Sequence, residues 1–379
     1  MTTPVEWRTV WILGSGFSKP LGGPLLPQLL SHAAFQDAHA RYPHVFQGVL
    51  WEATVAVWYL YHYGTRFEQG TPPMIVTSKE GESLWAHAEE FLGQLDAAVI
   101  DDNGAIAKQI ARIVQGRSPG GSRNVSPSDL RAAARRIVGI QCTSFAQDGD
   151  LSSERWRPFK DWVASLSNSD TIITFNYDPV LEKLNEDRKL NVVIPAQYLK
   201  PSEPDTKLTD VFKLHGSVNW KQGADKKIVA VDQLDFVATC APNELAIATP
   251  GASKHTDVTS LFMSLWALAE YALVHAHEVI FIGYKFPPSD AYSRERLLRA
   301  LWRNTEPDLR TSIVLGPNVH HEDVVRLEKM LDWTIESSAT ARLKVAPDTI
   351  PLFAEDYLTI WRLDPATRSL RGRPDPTAP

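Results

Sequence analysis

The sequence predicts an α/β protein: a Rossmann-like, mostly parallel sheet with a large helical insertion after the first strand. Two observations carry that expectation. Apolar runs at 10–13, 171–175, 211–214, 279–284 and 312–315 each break abruptly into glycine or polar residues, as buried parallel strands do at their carboxyl ends. Between the first and second of these runs the apolar residues recur at helical spacing instead, so helices separate the first strand from the rest of the sheet.

Composition narrows the class. The chain has 379 residues, enough for a large core. Its 44% apolar and 22% charged residues are ordinary for a globular protein. A formal charge of −6 argues against a surface built to hold nucleic acid directly. The two cysteines, Cys142 and Cys240, exclude a four-cysteine zinc site and a disulfide framework. No metal is expected. No apolar run approaches the roughly 20 residues of a membrane span, and no basic and apolar leader opens the chain. A cytoplasmic, reduced protein is the expectation.

The first strand runs into Gly14-Ser15-Gly16-Phe17-Ser18. Glycine lets a phosphate or ribose approach the backbone, with free N–H groups aimed at the anion. The dinucleotide fingerprint is incomplete, because Lys19 stands where a third glycine belongs and no acidic residue closes a strand about 20 positions on. No Gly-Lys-Ser/Thr follows either, so this is no P-loop. Taken alone, the turn equally suits an ordinary α/β unit.

The insertion begins with a short helix near 25–28 and continues with a helix over 45–63, where Phe46, Val49, Leu50, Ala53, Val57 and Leu60 share a face. Its aromatics, Trp58 among them, read as core packing. A loop at 64–82 precedes a helix over 84–100, and the composition at 115–122 marks another loop. Ser126-Pro127-Ser128-Asp129 starts a helix through 140, with Arg131, Arg135 and Arg136 as a solvated face. The expected organisation is a sheet domain of 1–25 and 166–335, a helical insertion of 26–165, and a C-terminal packing segment and frayed tail of 336–379.

The sheet resumes at 170–175. Asp178-Pro179 then reads as a helix start, with Asp capping. Asn176, an amide between strand and helix, must find partners there. A Pro-, Lys- and Asp-rich loop at 195–210 leads to the strand before His215-Gly216. A lone histidine is more often structural than catalytic; this one stands just past a strand end. Short strands at 228–231 and 245–249 suggest a side hairpin. A helix over 259–275, apolar almost all round, reads as buried. The strand at 279–284 breaks at Gly283 and Pro287-Pro288, the run at 312–318 is the last parallel strand with a polar turn, and a helix follows over 322–333.

Four motifs in order, Gly-Ser-Gly-Phe-Ser, Thr-Phe-Asn-Tyr-Asp, Leu-His-Gly-Ser and Gly-Tyr-Lys-Phe-Pro-Pro-Ser-Asp, resemble the bacterial sirtuin-like family, whose members occur in antiphage defence systems. The likeness spans roughly 8–25 and 168–320. It implies a sheet that binds NAD, with Asn176 and His215 matching the family's catalytic pair and Asp178 its following aspartate. It also implies that Gly14, Ser15, Gly16, Phe17 and Ser18 line the phosphates and nicotinamide ribose, with Gly283, Tyr284 and Asp290 also at the cofactor and Asn318 at its adenosine end. The four-cysteine zinc module and the Ile-Pro-x-Phe-Arg stretch of classical sirtuin deacylases are missing; Gly23-Pro24-Leu25-Leu26 stands instead.

Those departures favour hydrolysis of NAD over protein deacylation. The leaving nicotinamide is already cationic in NAD, so a glycosidase's carboxylate pair is unnecessary. What the reaction needs is a held ribose, a positioned water and a base; a neutral histidine serves as that base, typically for about 10²–10⁴-fold. The expected activity is an NAD glycohydrolase giving nicotinamide and ADP-ribose in abortive-infection defence. The resemblance implies a homo-oligomer and a separate controlling partner, such as a DNA-translocase-type ATPase or an Argonaute-like sensor. The alternatives are a non-catalytic NAD- or ADP-ribose-binding module of a defence complex, and a deacylase or ADP-ribosyltransferase.

Overall fold

The computed structural model describes residues 7–63, 85, 87–105, 107–108, 110–111, 125–195, 208–233, 235–241, 243–251, 254–287, 290–336 and 347–363. The loops expected at 64–82 and 115–122, most of 195–210, Leu84, Pro288 and the end of the tail lie outside the described residues.

The strands, in chain order, are β1 (Thr9–Leu13), β2 (Thr171–Thr174), β3 (Leu190–Val192), β4 (Thr209–Lys213), β5 (Gly216–Gln222), β6 (Ile228–Ala230), β7 (Leu245–Ile247), β8 (Glu278–Ile282), β9 (Arg310–Val314) and β10 (Asp348–Ile350). Seven form one sheet in the order β10-β9-β8-β1-β2-β4-β3, every pairing parallel. Both faces of a parallel sheet are covered, which is why β1 and β8 are buried along their whole length and, after Thr9 and Glu278, read as unbroken apolar runs. The fold is therefore a Rossmann-type α/β sheet with helical insertions. A second sheet joins β6, β5 and β7.

The chain divides into two compact units. One holds residues 1–23, 148–216 and 262–379; the other holds 24–147 and 217–261. The short strands β6 and β7 thus fall in the same unit as the insertion's helices.

Three expectations are corrected. The run at 312–318 is not the last strand, because β10 adds a parallel edge beside β9, with Ile350 opposite Val314. Its three residues, Asp-Thr-Ile, are too short and too polar to show as an apolar run. The helix expected over 259–275 is two, Lys254–Leu261 and Met263–Val274, parted at Phe262, whose backbone leaves the helical region. Leu265, Trp266, Ala269 and Leu273 of the second are buried, whereas Tyr271 is exposed. No single helix among the described residues is long and apolar enough to cross a membrane.

The third correction concerns the arginines. On the helix Pro127–Gln147, Arg131 Nε lies 2.5 Å from the buried Asp96 carboxylate. Arg135 donates to the Ile247 carbonyl at 2.8 Å. Arg136, itself buried, donates to the carbonyls of Ala238 and, at 2.7 Å, Cys240. Those last carbonyls close the short helix Phe236–Thr239, where helical partners run out and the dipole is negative. Periodicity reads an arginine as polar and cannot see the carbonyls it will meet. The start of that long helix matches its sequence: Ser126 Oγ donates to Asp129 Oδ2 at 2.6 Å and accepts from the Asp129 N–H at 3.2 Å.

Candidate functional site

Four neighbouring strands of the main sheet end level. Leu13 pairs with both Thr174 and Ile282, and Thr174 pairs with Lys213. Two steps beyond these ends stand Ser15, Asn176, His215 and Tyr284. The strand order also reverses direction at β1, with β2, β4 and β3 on one side and β8, β9 and β10 on the other. Open α/β sheets bind ligands outside the carboxyl ends of their strands at such a reversal.

The glycines at this edge touch each other. Gly14 N–H donates to the Ile282 carbonyl at 2.9 Å, and Gly16 N–H to the Gly283 carbonyl at 3.2 Å. Of the turn's N–H groups, these two are therefore taken up by the end of β8 and the residue after it. Gly283 has φ 64, and a β-carbon on Gly14 would lie 2.5 Å from the Gly283 carbonyl oxygen. The side chain of Phe17 is buried in the core, edge-on to Phe159 at 5.1 Å and Trp162 at 5.4 Å. A large apolar ring on the short helix Ser15–Ser18 goes where burial is greatest.

Asn176 is held by three hydrogen bonds. Its backbone N–H donates to Thr174 Oγ1 at 3.1 Å. Its side-chain nitrogen Nδ2 donates to the Gly14 carbonyl and to Ser18 Oγ, each at 3.0 Å. Ser18, buried, passes its own proton to Asp178 Oδ2 at 2.7 Å. The other oxygen, Asp178 Oδ1, accepts from Val180 N–H at 3.2 Å across the turn before the helix Val180–Leu184; the N-cap itself is Pro179, one residue after the aspartate expected there, because the helix starts beyond the proline. Burial pushes the Asp178 carboxyl above its ordinary range, against the Lys213 ammonium and the Ser18 hydroxyl, which both favour its charged form.

Lys213 was not anticipated from sequence, although a lysine in the apolar stretch Val-Phe-Lys-Leu is itself a signal. It is completely buried, donating to the Asp178 carbonyl at 2.7 Å and to Glu182 Oε1 at 2.8 Å. A buried ammonium needs such partners. The lysine thereby ties β4, which carries His215 two residues on, to the turn that carries Asn176.

His215 is 2% exposed. Its Nε2 lies 3.4 Å from Ser293 Oγ and 3.9 Å from Asp290 Oδ1. Both groups face one nitrogen, so this is not a Ser-His-Asp relay, in which nucleophile and orienting acid occupy opposite ring nitrogens. The ring meets Phe175 at 4.9 Å, Phe175 stacks on Tyr284 at 4.3 Å, and Tyr284 Oη donates to Asp290 Oδ2 at 3.5 Å. Ser293 also escaped the sequence reading: nothing but its place three residues after Asp290 on the helix Ala291–Trp302 sets it apart. Ser15 is half-buried, and Asn318 is exposed in the turn after β9.

The structure thus brings Asn176, Ser18, Asp178 and Gly14 into one hydrogen-bonded group. His215, Tyr284 and Asp290 form a second group, joined to the first through the Phe175–Asn176 backbone. Among the described residues no group of three or more His, Cys, Asp or Glu side chains is disposed to hold a metal ion.

A solved structure titled "Sir2-p53 peptide-NAD+" aligns over 95% of this chain and 93% of its own, at 12% identity and a TM-score of 0.34. No curated protein matches the sequence. The family model described as "SIR2-like domain" matches residues 170–330, the stretch that carries Asn176, Asp178, His215, Tyr284 and Asp290. By that match, residues 170–330 are similar to the SIR2-like domains and support a sirtuin-like reading of the chain.

Proposed function

We propose that this chain cleaves the bond between nicotinamide and ribose in NAD, releasing nicotinamide and ADP-ribose. The observation that carries the reading is the level placement of Asn176 and His215. They stand at equivalent steps past adjacent strands, beside the reversal of strand order and within the stretch similar to SIR2-like domains.

In this reading Asn176 Oδ1 receives a hydrogen bond from a ribose hydroxyl or the attacking water. His215 takes the proton that the water loses as its oxygen bonds to the ribose carbon; the electron pair of the broken bond leaves with nicotinamide. No acid is needed at the leaving group. The resemblance adds an antiphage role, with an oligomer or a partner protein controlling an activity that would otherwise drain the host's NAD. The burial of His215 supports such control, since a histidine 2% exposed must be uncovered before substrate reaches it.

That same burial favours a second reading, a non-catalytic NAD- or ADP-ribose-binding module. Nicotinamide release from NAD by the wild type, Asn176→Ala and His215→Ala separates the two. Turnover by the wild type, lost in both variants, supports cleavage. Saturable NAD binding with no release, in any of the three and in the presence of the proteins encoded beside it, supports the module.

A further inference from the structure

Asn176 has a side chain whose two ends do opposite things: Nδ2 carries two protons to give, and Oδ1 accepts. Which end faces outward decides which substrate group it can hold. Both Nδ2 protons have acceptors at 3.0 Å, one of them the Gly14 carbonyl. A carbonyl oxygen can only accept, so reversing the amide would set oxygen against oxygen there. The second acceptor, Ser18 Oγ, is free to accept because its own proton goes to Asp178 Oδ2. Each bond in this chain therefore has one direction, from Asn176 through Ser18 to Asp178.

We propose that Ser18 is a positioning residue which, with the Gly14 carbonyl, locks the Asn176 amide so that Oδ1 alone is presented to substrate. This rests on the cleavage reading above and deepens it. The group met by Asn176 must be an O–H donor, a ribose hydroxyl or the attacking water, and Ser18 acts through Asn176 and does not bind phosphate. Its hydroxyl is enclosed by this network, and the Ser18 residue is 2% exposed.

Two measurements on the full chain test this. In protein labelled with ¹⁵N at asparagine, the Asn176 side-chain signals are identified by their loss in Asn176→Ala, and the exchange of the two Nδ2 protons with water is followed. Expected is slow exchange of both in the wild type, and at least tenfold faster exchange of one in Ser18→Ala. In the nicotinamide-release assay, Ser18→Ala lowers kcat about tenfold while KM stays within about twofold. Asn176→Asp, which puts an oxygen against the Gly14 carbonyl, falls as far as Asn176→Ala. If Ser18→Ala folds poorly, Ser18→Cys, close in size but a weak acceptor, takes its place with the same expectations.

Wild-type exchange as fast as that of a solvent-exposed asparagine overturns the proposal, as does a fully active Ser18 variant or an active Asn176→Asp. A protected amide that loosens in Ser18→Ala, with no nicotinamide release by any protein, upholds the locked orientation and sinks the cleavage reading instead.

Discussion

Gly16 and Gly283 are in backbone contact: a β-carbon on Gly283 would lie 2.3 Å from the α-carbon of Gly16. Gly283 also has φ 64, a conformation that side chains resist. Two penalties therefore add in Gly283→Ala, left-handed backbone and overpacking, together about 2–5 kcal/mol. Gly16→Ala meets only the second, about 1–3 kcal/mol. Urea denaturation of both variants checks the order. Equal and negligible losses would show that the loop after β8 yields easily.

Asn176→Ala and His215→Ala each reduce nicotinamide release by about 10²–10⁴-fold. Asn176 is half-buried and surrounded by groups that also have other partners, so its variant unfolds within a few degrees of the wild type. Thermal unfolding beside the assay separates lost chemistry from lost fold.

The acid side of the pH profile reports on Asp178. The groups facing it are Ser18 and Val180 N–H by hydrogen bond, and Lys213 and Glu182 by charge. Burial raises its folded-state pKa, so on acidification it takes up a proton earlier than an ordinary aspartate. Once protonated, Asp178 Oδ2 no longer simply accepts from Ser18. Activity is expected to fall as pH drops through a value above the usual carboxylate range, and that limb disappears in Asp178→Asn. For stability the sign is opposite: the folded form binds this proton more tightly, so the Asp178 contribution declines as pH rises from the ordinary value to the raised one.

His62, in the helix Gly48–Tyr63, titrates at about 4, held down by burial and then by His32, whose ring stacks on it at 3.8 Å. The unfolded chain takes that proton near 6.5. Stability from neutral His62 is therefore complete above about 6.5 and is lost as pH falls toward about 4. Because the ring is partly exposed, solvent screening trims the effect. A fall in Tm of roughly 2–6 °C over that window is expected. His62→Gln removes it, as calorimetry at two pH values would show.

What the sequence revealed and what it hid have separate physical causes. Buried parallel strands carry short apolar runs, so β1, β2, β4, β8 and β9 stood out, and so did the polar residues at their ends. Asn176 and His215 were visible because each breaks an apolar run. Ser293 was not, and Lys213, although it also breaks an apolar run, gave no sign of its partners, which only the sheet order brings to it. Gly14 and Gly16 signal close backbone approach, and one backbone that approaches them is that of Gly283, distant in sequence, which no local pattern reveals. Trp11 and Trp162 lie in the core and meet edge-on at 5.3 Å, whereas Trp333 lies 71% exposed.

The central position of β1 has a consequence for synthesis. The strand ends at Leu13, its neighbour β2 begins at Thr171, and its other neighbour β8 begins at Glu278. At a synthesis rate of about 5–20 residues per second, roughly 10–60 s pass before the second neighbour is made. Through that interval Thr-Val-Trp-Ile-Leu has left the ribosome with open edges, a segment of the kind that pairs with the wrong strand or with another chain. The helices of the insertion are translated in the meantime and can fold among themselves, but none of them supplies a strand to β1 in the finished sheet. Of the seven strands of this sheet, the one made first is thus among the last to be enclosed. Yield on refolding or expression is expected to respond more to the polarity of residues 9–13 than to the stability of the finished protein.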